Sequence, residues 1–416
     1  MNAAAKDENT VIWFFKAGLA YLVVTLVLGA LMITGKGYSI FGPQGAKAAH
    51  IHAGLLGFVT NIIIGSMYQI VPTMTGTRLY GGRLASKQFY LFNLGVLGLF
   101  LAQLTLTGTL RTGFQTIFGI TILFASILFA FIVFKTIAES RSKIKPVSLL
   151  FFKAATIFLI AGETLGILTV IFPKVFSNML LAKTAHAHLG ILGFITMTIF
   201  GAEYQMFPML TLKKLKSEQW AKINFWTFTV GVAGFFLGLM LTSGLLMVVF
   251  AALLVVSTLL FLVNMWQTIH GVKWTGLDVS VKYLLAGQGF LFLTVGAGML
   301  MTLPGRLSTY SWVWTHAHIG LLGFVSLTII GAMYHLVPML VWMEKYGPKM
   351  GKEKVPNIQD LFSKRLAHII LYASLISILG MASGMLLGNP VVLQASGITM
   401  AATATVFTID MFRVMK

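Results

Sequence analysis

Residues 316–338 read HAHIGLLGFVSLTIIGAMYHLVP, and the chain repeats the phrase twice: HIHAGLLGFVTNIIIGSMYQIVP at 50–72 and HAHLGILGFITMTIFGAEYQMFP at 186–208. Counted from the second His, all three carry Gly at +2, +5 and +13, Phe at +6, Tyr at +16 and Pro at +20. Matches so numerous, at fixed spacing, mark an internal repeat. Each phrase is also an unbroken apolar run, and about 20 such residues span a bilayer as a helix.

Twelve runs of that kind succeed one another: 11–34, 48–72, 86–109, 112–137, 147–173, 183–208, 218–241, 243–268, 282–304, 314–341, 364–387 and 389–412. The phrase falls in the second, sixth and tenth. The runs preceding these share a basic residue near their start, Lys16, Lys153 and Lys282, which lies 34, 33 and 34 residues before the first His. The third and seventh runs share Ser86-x-Gln88…Asn93 and Ser217-x-Gln219…Asn224, and the eleventh has Ser363-Lys364-Arg365. The expected fold is therefore all-α: twelve transmembrane helices in three pseudo-symmetric four-helix repeats, 11–137, 147–268 and 282–412, forming a single membrane domain over 1–416.

Composition agrees. Of 416 residues, 57% are hydrophobic and only 10% charged, whereas soluble chains carry about 25% charged residues. Solubility and disorder are both excluded. A net charge of +19 suggests nucleic acid, but a mean hydropathy of +0.88 excludes it; such charge belongs in loops facing anionic lipid. The absence of period-two alternation argues against a β-barrel. The first run is too long for a cleaved signal. Without cysteine, disulfides, zinc–thiolate sites and iron–sulfur clusters are excluded. Loops after the even-numbered runs, together with the termini, hold 24 of the 30 Lys and Arg; Lys36, Lys47, Arg111, Lys174, Lys183 and Arg306 face the other way. The positive-inside rule then puts both termini in the cytoplasm.

Six of nine histidines form the pairs His50/His52, His186/His188 and His316/His318. On a helix, i and i+2 lie about 200° apart, so one pair can supply one ligand to each of two neighbouring sites. Histidine inside a membrane is costly and marks function. Neutral imidazole binds Zn, Cu or Fe, and the lack of Cys and of a carboxylate cluster argues against structural zinc. Haem held between facing helices, with a His from each, fits this glycine-lined setting. The glycines serve close approach of a flat group or of another helix. Glu163 stands alone at mid-membrane as a proton relay or hydrogen-bond partner. Glu203 falls near the inner interface, Asp410 beside Arg413 as an end-of-helix ion pair, and Tyr68, Tyr204 and Tyr334 where interfacial anchors sit. His270 and His368 read as incidental. Arg111 and Arg306, level with the histidine pairs, are candidate partners for anionic cofactor groups.

The run from Thr315-His316-Ala317-His318 through Gly320, Gly323 and Phe324 to Gly331, Tyr334, His335 and Pro338 resembles the tenth helix of the haem–copper oxidase catalytic subunit, above all its C-type (cbb-type) branch. That family also has twelve helices in three pseudo-symmetric groups. The resemblance covers the chain in architecture and is motif-specific in the second, sixth and tenth runs. It implies that His52 and His318 are axial ligands of a low-spin haem b, that His316 is the proximal ligand of a second haem, and that His188 matches a copper ligand. The family's further copper ligands form a His-His pair in the seventh helix. Here that stretch reads SEQWAKINFWTFTVGVAGFFLGLMLT, without His, so a normal copper site is not expected, although copper remains possible. His50 and His186 are additional.

One to three haems b are expected, and six histidines allow up to three bis-His sites. A second resemblance, weaker in its motifs, is to NnrS-type haem and copper membrane proteins. The implied protein is a haem redox protein of a bacterial or archaeal cytoplasmic membrane, binding or reducing NO or O₂. The lipid bilayer and an electron donor, cytochrome or quinol, would be its partners, with accessory subunits or further copies of itself; no C-x-x-C-H supplies a covalent haem. Two alternatives belong to other classes: a bis-His electron-transfer or gas-sensing protein without catalysis, and a metal or small-molecule transporter.

Overall fold

A helix is the one open-ended structure that satisfies every backbone N–H and C=O within its own segment, and lipid supplies no other partner. A computed structural model describes residues 3–140, 146–303 and 309–416. Twelve helices among them are long and apolar enough to cross a membrane: α1 (Thr10–Ile33), α2 (Pro43–Thr75), α3 (Gly82–Thr105), α4 (Gly108–Ala138), α5 (Ser148–Ile171), α6 (Met179–Thr211), α7 (Glu218–Met240), α8 (Gly244–Thr268), α9 (Val279–Thr302), α10 (Tyr310–Lys345), α11 (Lys364–Leu386) and α12 (Pro390–Val414). The all-α, twelve-span fold class is thus observed. Polar N-caps start several helices: Asn178, Ser217, Ser243, Ser363 and Asn389 each accept from a backbone N–H of the first turn, leaving fewer donors unpaired.

The three histidine helices outrun their hydropathy. α2, α6 and α10 have 33, 33 and 36 residues and are the most enclosed of the twelve. They begin earlier than expected because Pro43–Ala49 and its counterparts are helical but too polar to register as apolar. They also continue past Pro72, Pro208 and Pro338, which lie inside the helices.

Packing corrects two alignments within the repeat. A Cβ on Gly57 would strike Tyr21, one on Gly193 would strike Phe158, and one on Gly323 would strike Phe290. Gly65, Gly201 and Gly331 likewise close on the Cβ of Phe14, Phe151 and Tyr283. These contacts place Leu285, not Lys282, opposite Lys16 and Lys153, a shift of three residues. In this register Thr294 and Gly298 match Thr25/Gly29 and Gly162/Gly166. The glycines at +5 and +13 are thereby packing residues, each admitting an aromatic side chain of the preceding helix at its ring or its Cβ.

The second correction concerns α3. Ser217 and Ser363 cap α7 and α11, whereas Ser86 lies inside α3 and the left-handed Gly81 precedes it. Gly81, not Ser86, is the counterpart. Seven residues beyond Gly81 and Ser217 stand Gln88 and Asn224, the acceptors for Tyr68 (3.2 Å) and Tyr204 (3.1 Å).

The chain forms two compact units. The first comprises Met1–Ser66, Thr275–Leu291 and Thr309–Lys416; the second comprises Met67–Trp274 and Phe292–Ser308. The first unit holds α1, the histidine end of α2, the start of α9, and α10 to α12. The second holds the end of α2, α3 to α8, and the end of α9.

Candidate haem site

Each histidine pair ends an α-helical stretch, and the next eight residues switch to wide π-type turns: Ala53–Thr60, Leu189–Thr196 and Ile319–Ser326. Side-chain bonds bracket the switch. Before it, Nδ1 of His52, His188 and His318 bonds the carbonyl four residues back, at 3.0, 2.8 and 2.8 Å. At its end, the hydroxyls of Thr60, Thr196 and Ser326 donate to the carbonyl five residues back, at 2.8, 2.9 and 2.8 Å. π segments are rare and concentrate at functional sites, and each extra residue rotates the rest of the helix by about 100°. The legible signal for this is a hydroxyl at +8 in all three phrases, easily overlooked among the glycines.

The first His of a pair is held differently. His50 Nδ1 bonds Thr25 O of α1 at 2.9 Å, and His186 Nδ1 bonds Gly162 O of α5 at 2.7 Å. Glycine makes room for both rings: a Cβ on Gly29 would lie 2.9 Å from His50 Cε1, and one on Gly166 would lie 2.7 Å from His186 Cε1. A carbonyl on Nδ1 fixes the proton there and gives the Nε2 of His50 and His318 the lone pair. Metal-binding histidines are oriented in this way.

In the first unit, α1, α2, α10, α11 and α12 enclose a cavity of about 480 Å³. His50 and His318 both line it, with Gly29, Gly54 and Leu26. His52 and His316 are not among its lining residues. His50 and His318 are thus the two histidines that line this space, with the α1 carbonyl and Gly29 placing the His50 ring. Among the described residues the lysine or arginine that lines it is Lys47, its Nζ 5.0 Å from the ring centre of Trp314 and 5.5 Å from that of Tyr310. Its stem lies along apolar surface while its head stays polar. The guanidinium of Arg111 donates to Leu106 O in the second unit, and Arg306 lies outside the described residues.

The donor set fits a haem. Two imidazoles with oriented Nε2, apolar walls, a cation and a volume within the range of cofactor pockets match a flat apolar macrocycle with a metal centre and anionic edges.

In the second unit, His188 packs edge-on to Phe235 at 5.3 Å. Glu163, next to the carbonyl that holds His186, accepts from Ser126 of α4 at 2.8 Å. Among the described residues no three or more His, Cys, Asp or Glu cluster as metal ligands. Several other expectations need correction. Tyr68, Tyr204 and Tyr334 are buried and hydrogen-bonded inside the bundle, not lipid anchors. Glu203 is 1% exposed, so it is no interfacial charge. Asp410 accepts from Tyr334 at 3.3 Å and forms no ion pair with Arg413; among the described residues the ion pair present is Lys349–Glu353. His368 Nε2 lies 3.2 Å from Lys282 Nζ.

Comparison with known proteins points the same way. The family model described as cytochrome c and quinol oxidase polypeptide I matches residues 107–249, which include the pair His186/His188. The cbb3-type cytochrome c oxidase subunit CcoN1 of Stutzerimonas stutzeri is 24% identical over 361 residues, covering 82% of this chain and 74% of its own. An uncharacterized protein of Aquifex aeolicus is 23% identical over 330 residues, covering 78% and 81%. The fold superposes with a TM-score of 0.78 and 14% identity on a solved heme-copper terminal oxidase dimer, covering 100% of this chain and 84% of that one. The chain thus resembles haem–copper oxidase subunit I over residues 107–249 and shares the fold of a solved heme-copper terminal oxidase.

Proposed function

We propose that the protein is a membrane haem protein whose first unit binds haem b through His50 and His318 and serves electron transfer. The observation that carries this reading is the shared cavity, with both imidazoles anchored at Nδ1. The carbonyls of Thr25 and Trp314 hold the rings in one tautomer and raise the basicity of Nε2. Lys47 neutralises an anionic edge of the group. The apolar walls exclude water. A haem with two protein ligands supplies one-electron chemistry at iron and leaves no open position. An external cytochrome or quinol at a bacterial inner membrane would supply electrons.

Purified protein should give a b-type reduced-minus-oxidised spectrum and the low-spin signal of bis-imidazole iron. His50→Ala or His318→Ala should abolish that signal, and His52→Ala should spare it. A spectrum that survives His50→Ala would refute the assignment.

A second reading is a gas-reactive iron on His316, with NO or O₂ as substrate. The superfamily likeness and the His-free α7 favour a gas site built without the usual copper ligands. A CO-shifted fraction of the spectrum, lost in His316→Ala, would support it; a CO-blind spectrum would leave electron transfer alone.

A further inference from the structure

The second unit repeats the layer that seats His50, and there the layer is acidic. α5 and α6 cross closely: a Cβ on Gly162 would lie 3.3 Å from Leu189 Cβ and 3.4 Å from Gly190 N. The His186 ring spans one turn of α5. Its Nδ1 bonds Gly162 O at 2.7 Å, and a Cβ on Gly166 would lie 2.7 Å from its Cε1 and 3.4 Å from its Nε2. The carbonyl fixes the proton on Nδ1, so Nε2 carries the lone pair. Glu163 belongs to the same turn of α5. Ser126 of α4 donates to its Oε1 at 2.8 Å. Its Oε2 is buried and has no hydrogen-bond partner in the protein.

The repeat brings the carboxylate and the imidazole to one space. Glu163 and Gly190 are the counterparts of Leu26 and Gly54, which line the first unit's cavity together with His50. On a helix, residues three apart have Cβ positions about 5–6 Å from each other. Glu163 therefore flanks the ring that lies over Gly166. Room is open beside that ring: Gly190 follows His186 by four residues on α6, and a Cβ there would meet nothing within 4 Å. A buried carboxylate oxygen without a partner is costly. Oε2 and Nε2 both offer electron pairs, so the space suits a cation. Imidazole nitrogen together with carboxylate oxygen is a donor set of transition-metal ions, whereas calcium and magnesium favour oxygen alone. The contacts behind the two donors are also those of metal ligands: a carbonyl on the far ring nitrogen, and a hydroxyl on the far carboxylate oxygen.

We propose that the second unit binds one divalent transition-metal ion between α5 and α6, through His186 Nε2 and Glu163 Oε2, with Ser126 as a positioning residue. Water completes the coordination. One metal-bound water releases a proton to bulk, so that a carboxylate and a hydroxide balance the two charges of the ion. The site is separate from His188, which lies about 200° around α6 from His186, bonds Thr184 O and packs on Phe235 of α7. It needs no haem, so it stands independently of the electron-transfer reading.

The test uses full-length protein in detergent, stripped with a chelator and titrated with cobalt(II) chloride. The wild type should develop visible d–d bands and retain one cobalt per chain through gel filtration, counted by plasma mass spectrometry. Copper(II) in the same site should show one imidazole nitrogen by pulsed EPR. His186→Ala should lose the bands and the nitrogen signal, and His188→Ala should keep both. Glu163→Gln should lose the bands as well. Its amide oxygen still accepts from Ser126, so a variant that melts like the wild type yet binds no cobalt has lost a ligand and not its fold. Ser126→Ala should weaken cobalt binding about 10–100-fold, the usual effect of removing a group that orients a ligand. A wild type without bands overturns the proposal, since the space then holds water alone. Bands that persist in both His186→Ala and Glu163→Gln also overturn it, since the ion is then an adventitious one elsewhere on the chain.

Discussion

His50 in the first unit and His186 in the second are set by the same four devices: a carbonyl of the preceding helix on Nδ1, a glycine under the ring, a π segment three residues on, and a hydroxyl closing that segment. One residue differs in kind. After Thr25 of α1, whose carbonyl accepts from His50, comes Leu26, which lines the cavity. After that of α5 comes Glu163, bonded to Ser126. Scaffold and chemistry are thus separable: the repeat orients an imidazole, and the side chain beside the carbonyl decides whether the neighbourhood is apolar or acidic.

The comparison breaks most completely through the ligands. His50→Ala should remove the first unit's bis-His haem signal altogether, read as haem per chain by pyridine haemochrome. His186→Ala should leave that particular signal in place. If both variants lose it equally, the two histidines do not serve separate environments.

Exchanging the divergent residue comes next. Leu26→Glu puts an unpaired acid where its counterpart has Ser126 for company. An acid at mid-membrane costs about 3 kcal/mol, and most of that should appear as lost thermal stability of the haem-loaded protein. Glu163→Leu should cost about 1 kcal/mol, the typical net worth of one hydrogen bond. Equal costs in a detergent melting experiment would mean that Leu26 and Glu163 do not occupy different surroundings.

The glycines give a smaller, sharper effect. Gly29→Val pushes a branched side chain into the space of the His50 ring, whose Cε1 would lie 2.9 Å from the added Cβ. Displacing an oriented ligand typically lowers metal affinity about 10–100-fold, so haem occupancy on titration should fall by that order. Gly166→Val, the same change against His186, should spare the cavity in the first unit. An unaltered Gly29→Val titration would show that the ring position is not what sets affinity.

How much of this was legible depends on the physics of each feature. Twelve spans and a threefold repeat could be read because hydropathy and glycine spacing are local in sequence. Which histidines line one cavity could not be read, because both members of each H-x-H pair look alike until the Thr25 carbonyl and Gly29 place the His50 ring. The tyrosines misled for a related reason: an amphipathic ring near a helix end suits an interface equally well, and only Gln88, Asn224 and Asp410, distant in sequence, show that the rings point inward. Lys282 misled because a basic residue recurred at a plausible spacing, while the true register is carried by the rings beneath Gly57, Gly193 and Gly323.

The smallest effect tests whether the π segments are one device or three. Thr60→Val, Thr196→Val and Ser326→Ala each delete a hydroxyl whose bond to the carbonyl five residues back closes the wide turn. Each loss should cost about 1 kcal/mol. The carbonyl left behind is buried, so its desolvation is not recovered from water. In the second unit that cost should be purely structural. Ser326 also lines the cavity, as Thr60 does not. Ser326→Ala should therefore add a shift in the haem spectrum to the same loss of stability, whereas Thr60→Val, on a helix that supplies His50, should change stability alone. Equal spectral shifts in both would mean that the wide turn itself positions the ligands, and the hydroxyl in the cavity wall would then have no separate role.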